Sequence, residues 1–222
     1  MKKIIITLIS GLYFLSTSAS AEMGMNIGAS GTMGLFGATA KETHSVDSGA
    51  LAGSTAEDSE IAAVGYGSFF IEKDLGAVTL GIEYVPTAFE SDTTETAKQD
   101  KRTDDVETIT ESTNKVQVDL ENMYTLYLSF NVTENAYVKA GISSIDVMTN
   151  EDLGTGSKYG NTSLDGTVLG VGYEKDFDNG MFARVEGNYM TFDGVSLTSN
   201  DNTITLKNLD GVAGKLSIGK SF

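Results

Sequence analysis

The chain has 222 residues, with 31 acidic against 15 basic side chains and a formal net charge of −16. Such an excess of carboxylates repels the phosphate backbone and speaks against nucleic-acid binding. Cysteine is absent, which removes disulfides, thiol catalysis, cysteine metal sites and a lipid anchor on an N-terminal cysteine.

Lys2-Lys3 is followed by an apolar run from Ile4 to Leu15, then by Ser16-Thr17-Ser18-Ala19-Ser20-Ala21 with small residues at Ala19 and Ala21. This is the pattern of a secretory signal peptide over 1–21, with the mature chain expected at 22–222. Its apolar run of about a dozen residues is shorter than the roughly 20 that a spanning helix needs. Without Lys2 and Lys3, thirteen basic side chains face 31 acidic ones, a formal net charge of −18. Beyond residue 21 there is no apolar run long enough for a membrane helix. An exported membrane protein without such helices has to be a closed β-barrel, because only closure satisfies strand edges in lipid. A soluble secreted β-sandwich would share the alternation. The 25 glycines, the single proline, Pro86, and the lack of tryptophan suit both.

Strand-patterned segments occur at 24–40, 60–73, 77–88, 116–132, 136–147, 164–176, 181–192 and 204–222. Three connections are tight and rich in turn formers, Lys73-Asp74-Leu75-Gly76, Thr133-Glu134-Asn135 and Asp176-Phe177-Asp178-Asn179-Gly180. Four are long and polar, at 41–59, 89–115, 148–163 and 193–203. Alternation of short turns with long loops predicts an all-β, antiparallel up-and-down transmembrane β-barrel of eight strands, whereas Greek-key connections would break the alternation. A ten-stranded barrel follows if 89–115 hides another hairpin. Sixteen strands are excluded, because about 200 residues leave roughly 12 each for spans of about 9–11.

Side-chain parity agrees. Val78, Leu80, Ile82 and Tyr84 alternate with Thr79, Gly81 and Glu83, and Tyr124, Leu126, Leu128 and Phe130 alternate with Met123, Thr125, Tyr127 and Ser129. The first set of each is expected to face lipid and the second a polar interior. The second strand is ambiguous, since Val64, Tyr66 and Phe70 compete with Phe69 and Ile71 for the lipid side. Segment 65–84 echoes 170–189, each reading as strand, tight turn, strand. In the closing strand Val212, Leu216, Ile218 and Phe222 share one parity, and Ala213, Lys215, Ser217 and Gly219 the other.

With a closing strand that ends on Phe222, the mature chain resembles the small outer-membrane β-barrel family, which includes the outer-membrane protein A and X types. The resemblance implies the outer membrane of a Gram-negative bacterium, surrounding lipid and lipopolysaccharide as partners, and Phe222 as the signal read by the barrel-assembly machinery. Lys220 departs from the apolar or aromatic residue usual at its position, which either weakens that recognition or reflects a lysine snorkelling at the periplasmic interface. No periplasmic domain is expected after the last strand, so the barrel-only relatives are the nearer resemblance.

An eight-stranded barrel has an interior just wide enough for side chains to fill. The inward parity carries Glu83, Lys139, Glu174, Arg184, Glu186 and Lys215. Aligned by strand ends, Lys139 is expected beside Glu174, Arg184 across the turn from Glu174, and Glu186 near Lys215. Turned toward lipid, such bases would cost about 2–4 kcal/mol at the midplane. The set is either an internal salt-bridge plug or the constriction of a narrow pore. Inward Gly28, Ser30, Thr32, Gly81, Gly141, Gly170 and Gly172 leave room for the pore.

The acidic, Thr-rich 89–115 loop reads as a solvated face, with adhesion or gathering of divalent cations near lipopolysaccharide as functional alternatives. Neither Asn150-Glu151-Asp152-Leu153 nor Ser199-Asn200-Asp201-Asn202 reproduces a calcium loop. His44, the single histidine, neighbours Ser45 without a triad pattern, and Gly24 to Gly31 lacks a phosphate-loop spacing. No metal or cofactor is expected. The sequence thus predicts a non-enzymatic envelope barrel with a structural or surface-interaction role and an unidentified external ligand. The alternative is a small porin-like channel for ions or small solutes.

Overall fold

The computed structural model describes residues 24–44, 55–90, 94–101, 109–153, 159–199 and 202–222. Within them the chain forms β1 (Met25–His44), β2 (Thr55–Asp74), β3 (Val78–Glu90), β4 (Thr94–Lys101), β5 (Ile109–Asn131), β6 (Ala136–Leu153), β7 (Thr162–Asp176), β8 (Met181–Phe192), β9 (Val195–Ser199) and β10 (Asn202–Ser221).

The ladder runs β1-β2-β3-β5-β6-β7-β8-β10, and β10 pairs back onto β1 from Asn26↔Ser221 to His44↔Asn202. This closes an antiparallel barrel of eight strands. The 89–115 region does hold an extra strand, but β4 rides on β5 from Thr94↔Val116 to Lys101↔Ile109 and does not enter the ring. β9 likewise pairs with the start of β10. The barrel is therefore eight-stranded with annexes at its loop end.

At the other end, the tight turns fall where the sequence places them. Gly76 and Gly180 have φ of +92° and +75°, a region open to glycine. The Gly76 N–H donates to Asp74 Oδ1 at 2.7 Å, and the Met181 N–H to Asn179 Oδ1 at 3.0 Å. Thr133 Oγ1 accepts from the Ala136 N–H at 2.9 Å.

Several strands outrun their expected bounds. The β1–β2 ladder continues to Thr43↔Thr55, and β5 with β6 to Asn114↔Leu153, so much of what reads as loop is paired backbone. Above the bilayer both faces of a strand meet water, which erases the polar/apolar alternation without weakening the backbone ladder.

Outward, Leu126, Ile142, Val212, Leu216 and Ile218 are exposed to the surroundings as expected of a lipid belt. The ambiguous second strand turns Ser68, Phe70 and Glu72 inward and Phe69 and Ile71 out. Inside, the expected polar lumen occupies the turn-end half. Toward the loop end the interior is apolar, with Val85, Met123, Ile145, Val168, Met190 and Phe192 in one buried cluster. A rule of polar side chains inward hides this storey, because here the apolar residue turns inward, as Ile145 does between Ser144 and Asp146.

One seam is short. β2 pairs with β3 from Asp74↔Thr79 to Phe69↔Tyr84, although β2 begins at Thr55 and β3 runs on to Glu90. Pro86, which has no N–H to donate, lies two residues beyond the last pair, and proline in a sheet belongs at an edge. Beside it β5 bulges against β6 between Glu121 and Tyr124, where Asn122 is held at φ +51°. Its side chain accepts from Tyr84 Oη at 2.9 Å and donates to Asp146 at 3.2 Å.

Candidate functional site: an ion-paired floor beneath an apolar chamber

The inward positions of β2, β3, β6, β7, β8 and β10 meet in a floor of two storeys. In the lower one, Arg184 donates through Nη1 and Nη2 to the two oxygens of Glu72 at 2.5 and 2.8 Å, and through Nε to Glu174. Its guanidinium carbon lies 4.4 Å from the ring centre of Phe182, 5.4 Å from Phe70 and 5.7 Å from Tyr137, close enough for cation–π attraction. Glu72 also accepts from Tyr127 Oη at 2.7 Å and from Asn26 Nδ2 at 3.3 Å.

In the upper storey, Lys215 Nζ lies 2.9 Å from Glu83 and 2.7 Å from Glu186. Lys139 Nζ takes the other oxygen of Glu186 at 2.7 Å, and Ser68 Oγ donates to the other oxygen of Glu83 at 2.6 Å. Each of these carboxylate oxygens has a donor, the condition under which charge is tolerated away from water.

All six charged residues singled out in the sequence join this network. Two of the three expected pairs form, Arg184 with Glu174 and Glu186 with Lys215. The pairing of Lys139 with Glu174 does not. The β6–β7 register sets Lys139 opposite Gly170, with Glu174 two inward positions lower, so Lys139 turns to Glu186. Glu72 was missed, because the register of the second strand was open. Its parity with the bulky Phe70 was the available signal.

The small inward residues do not leave a lumen. A Cβ at Gly28 would fall 2.2 Å from the Phe70 ring, at Gly81 2.3 Å from Tyr127, at Gly172 2.3 Å from Tyr137, and at Gly219 2.2 Å from Phe182. The glycines are niches for four aromatic rings that pack the floor.

Above the floor is a cavity of about 580 Å³. Phe36, Tyr66, Met123, Ile145, Phe192 and Leu209 are among its lining residues, and Tyr66 Oη touches Met190 Sδ at 3.8 Å near its base. Ala62 and Val64 of β2 and Ala88 and Phe89 of β3 also line it, so the chamber reaches the unpaired seam. Among the described residues Glu60 is the one charged side chain in the lining.

The remaining sequence candidates lie apart. The His44 backbone closes β1 opposite Asn202, and Ser45 is outside the described residues. Asn150 to Leu153 end β6 as strand, not as a loop, while Asn200 and Asp201 are outside the described residues. Among the described residues no His/Asp/Glu cluster is arranged to hold a metal ion. Phe222 pairs with Met25 across the barrel seam, its N–H donating at 2.8 Å and its carbonyl accepting at 3.2 Å. Lys220 Nζ sits 5.4 Å from the Phe222 ring centre.

The fold is that of the small outer-membrane β-barrels. The chain superposes on outer membrane protein OprG of Pseudomonas aeruginosa with a TM-score of 0.53 and 11% identity, covering 91% of this chain and 98% of that one. This likeness shows the fold. Weaker likenesses extend to Neisserial surface protein A, with a TM-score of 0.39, 12% identity and coverage of 86% and 97%. They also extend to the outer membrane protease OmpT of Escherichia coli, with a TM-score of 0.44, 9% identity and coverage of 93% and 99%. Neither bears on function. No protein-family model matches the sequence, and no curated protein matches it.

Proposed function

We propose that the protein is a non-enzymatic outer-membrane barrel, closed to ions by its floor, that captures apolar molecules from outside in the chamber above. The observation that carries this reading is the stacking of an apolar cavity of about 580 Å³ on an interlocked layer of four carboxylates and three bases. A cavity of this size suits a small ligand, and an apolar chain gains about 0.8 kcal/mol per buried CH₂. A hydrated ion or solute, by contrast, has to displace buried pairs whose rupture costs about 3–5 kcal/mol each. The floor thus favours a sealed barrel over the small porin-like channel.

The unpaired β2–β3 seam gives a captured molecule a sideways path into the bilayer. Open edges are avoided in lipid except where they line a cavity, and this edge borders the chamber. Export by residues 1–21, recognition of the Phe222 strand by the barrel-assembly machinery, and lipid and lipopolysaccharide as surroundings complete the proposal.

The test is planar-bilayer current from the refolded protein together with binding of the fluorescent apolar probe N-phenyl-1-naphthylamine in lipid nanodiscs. The expected result is a silent bilayer and saturable probe binding that Ala62→Phe weakens by narrowing the chamber. Stepwise conductance without saturable binding overturns the proposal.

A further inference from the structure

We infer that Glu60 makes the chamber selective for single-chain apolar molecules with a cationic or uncharged head, against anionic amphiphiles. The inference rests on the chamber being a binding site and adds the class of molecule it takes.

Glu60 continues the inward series of β2 through Ala62, Val64 and Tyr66, all four lining the cavity. Its backbone lies opposite Ala38 of β1, another lining residue, so it stands on the loop side of the chamber. One step further out on the same parity is Asp58, opposite Ala40. Among the described residues no basic side chain lines the cavity. The bases of this part of the wall point away from it. Lys41 lies opposite Glu57, and Lys207 opposite Thr39, all on the outward parity, and Lys207 Nζ is 3.2 Å from Glu57. Below, the bases of the floor are committed to carboxylates.

A molecule whose tail fills the apolar chamber therefore leaves its head beside Glu60, with no cation among the described lining residues to answer a negative charge. For heads about 4 Å from the carboxylate in water-like surroundings, attraction of one sign and repulsion of the other separate the affinities by on the order of tenfold.

The experiment compares dodecyltrimethylammonium, dodecanol and dodecanoate at pH 8, titrated against the refolded protein in nanodiscs of zwitterionic lipid, with protein-free nanodiscs as the blank. A heat-shifted gel band confirms that each variant is folded, as expected for changes at exposed Glu60. The ammonium is expected to bind about tenfold more tightly than dodecanoate. Glu60→Gln should remove that ratio and Glu60→Lys invert it, with dodecanol unchanged throughout. Glu134→Gln removes the same charge at the turn end and should leave the ratio as it was. Should dodecanol bind while dodecanoate matches the ammonium, or should Glu134→Gln act as strongly as Glu60→Gln, the charge inference fails and the chamber stands. Binding of none of the three above the blank overturns the chamber and this inference together.

Discussion

Glu72 on β2 and Arg184 on β8 grip each other across the lumen through two N–H···O contacts of 2.5 and 2.8 Å, with β1 and β10 standing between them in the wall. The contact ties together parts of the barrel that the backbone ladder leaves unconnected. Removing the carboxylate strands a guanidinium that three rings and Glu174 hold in place. Glu72→Ala is expected to lower unfolding free energy by about 3–5 kcal/mol, as for other broken buried pairs. Glu57→Ala, at the exposed pair with Lys207, should change it by about 0–1 kcal/mol. Urea titrations followed by far-UV circular dichroism would check both, and equal losses would contradict the buried role of Glu72.

Lys215 is shared between Glu83 and Glu186, and Glu186 is shared in turn with Lys139. Groups in one network do not act additively. A cycle of Glu186→Ala, Lys215→Ala and the double variant should give a coupling energy of about 0.5–3 kcal/mol. Additive losses would show that the two side chains do not sense each other.

The packing of the floor makes its glycines unequal to others in the same strand. A Cβ at Gly219 would meet the fully buried Phe182 ring at 2.2 Å, and that ring cannot retreat without leaving Arg184. Gly219→Ala should cost about 1–3 kcal/mol. At Gly214 a Cβ meets nothing within 4 Å, so Gly214→Ala should stay within about ±0.5 kcal/mol. The same urea titrations decide it.

Barrel closure, the three tight turns and the lumen charges were legible because each leaves a local mark in the chain. Asp74 and Gly76 announce a turn, and a charge such as Lys215 between Gly214 and Leu216 can face only the interior. Three features were not legible. The register of β2 depended on which of Phe69 and Phe70 found a niche, and that is decided by Gly28 on a different strand. The apolar upper storey was hidden because the rule of polar side chains inward reverses there, with Ile145 turned inward between Ser144 and Asp146. The seam required knowing that β2 and β3 part after Tyr84. Pro86 marked the position, but a proline alone does not say which neighbouring strand loses its partner.

Because the two storeys of the floor lie in series, opening one should not open the barrel. Arg184→Ala leaves Lys215, Glu83, Glu186 and Lys139 interlocked above, and Lys215→Ala leaves the Arg184 cage below. Either single variant is expected to stay silent in planar bilayers. The double variant clears a cation from each storey and leaves Glu72, Glu83, Glu174 and Glu186 with Lys139 as their one basic partner in the floor. Its lumen should therefore conduct, with a preference for cations, since rings of carboxylate favour positive ions. The heat-shifted band confirms that the barrel has closed before current is recorded. Equal conductance from Lys215→Ala alone would mean that the lower storey is no barrier, and that the ring cage around Arg184 serves stability without sealing the lumen.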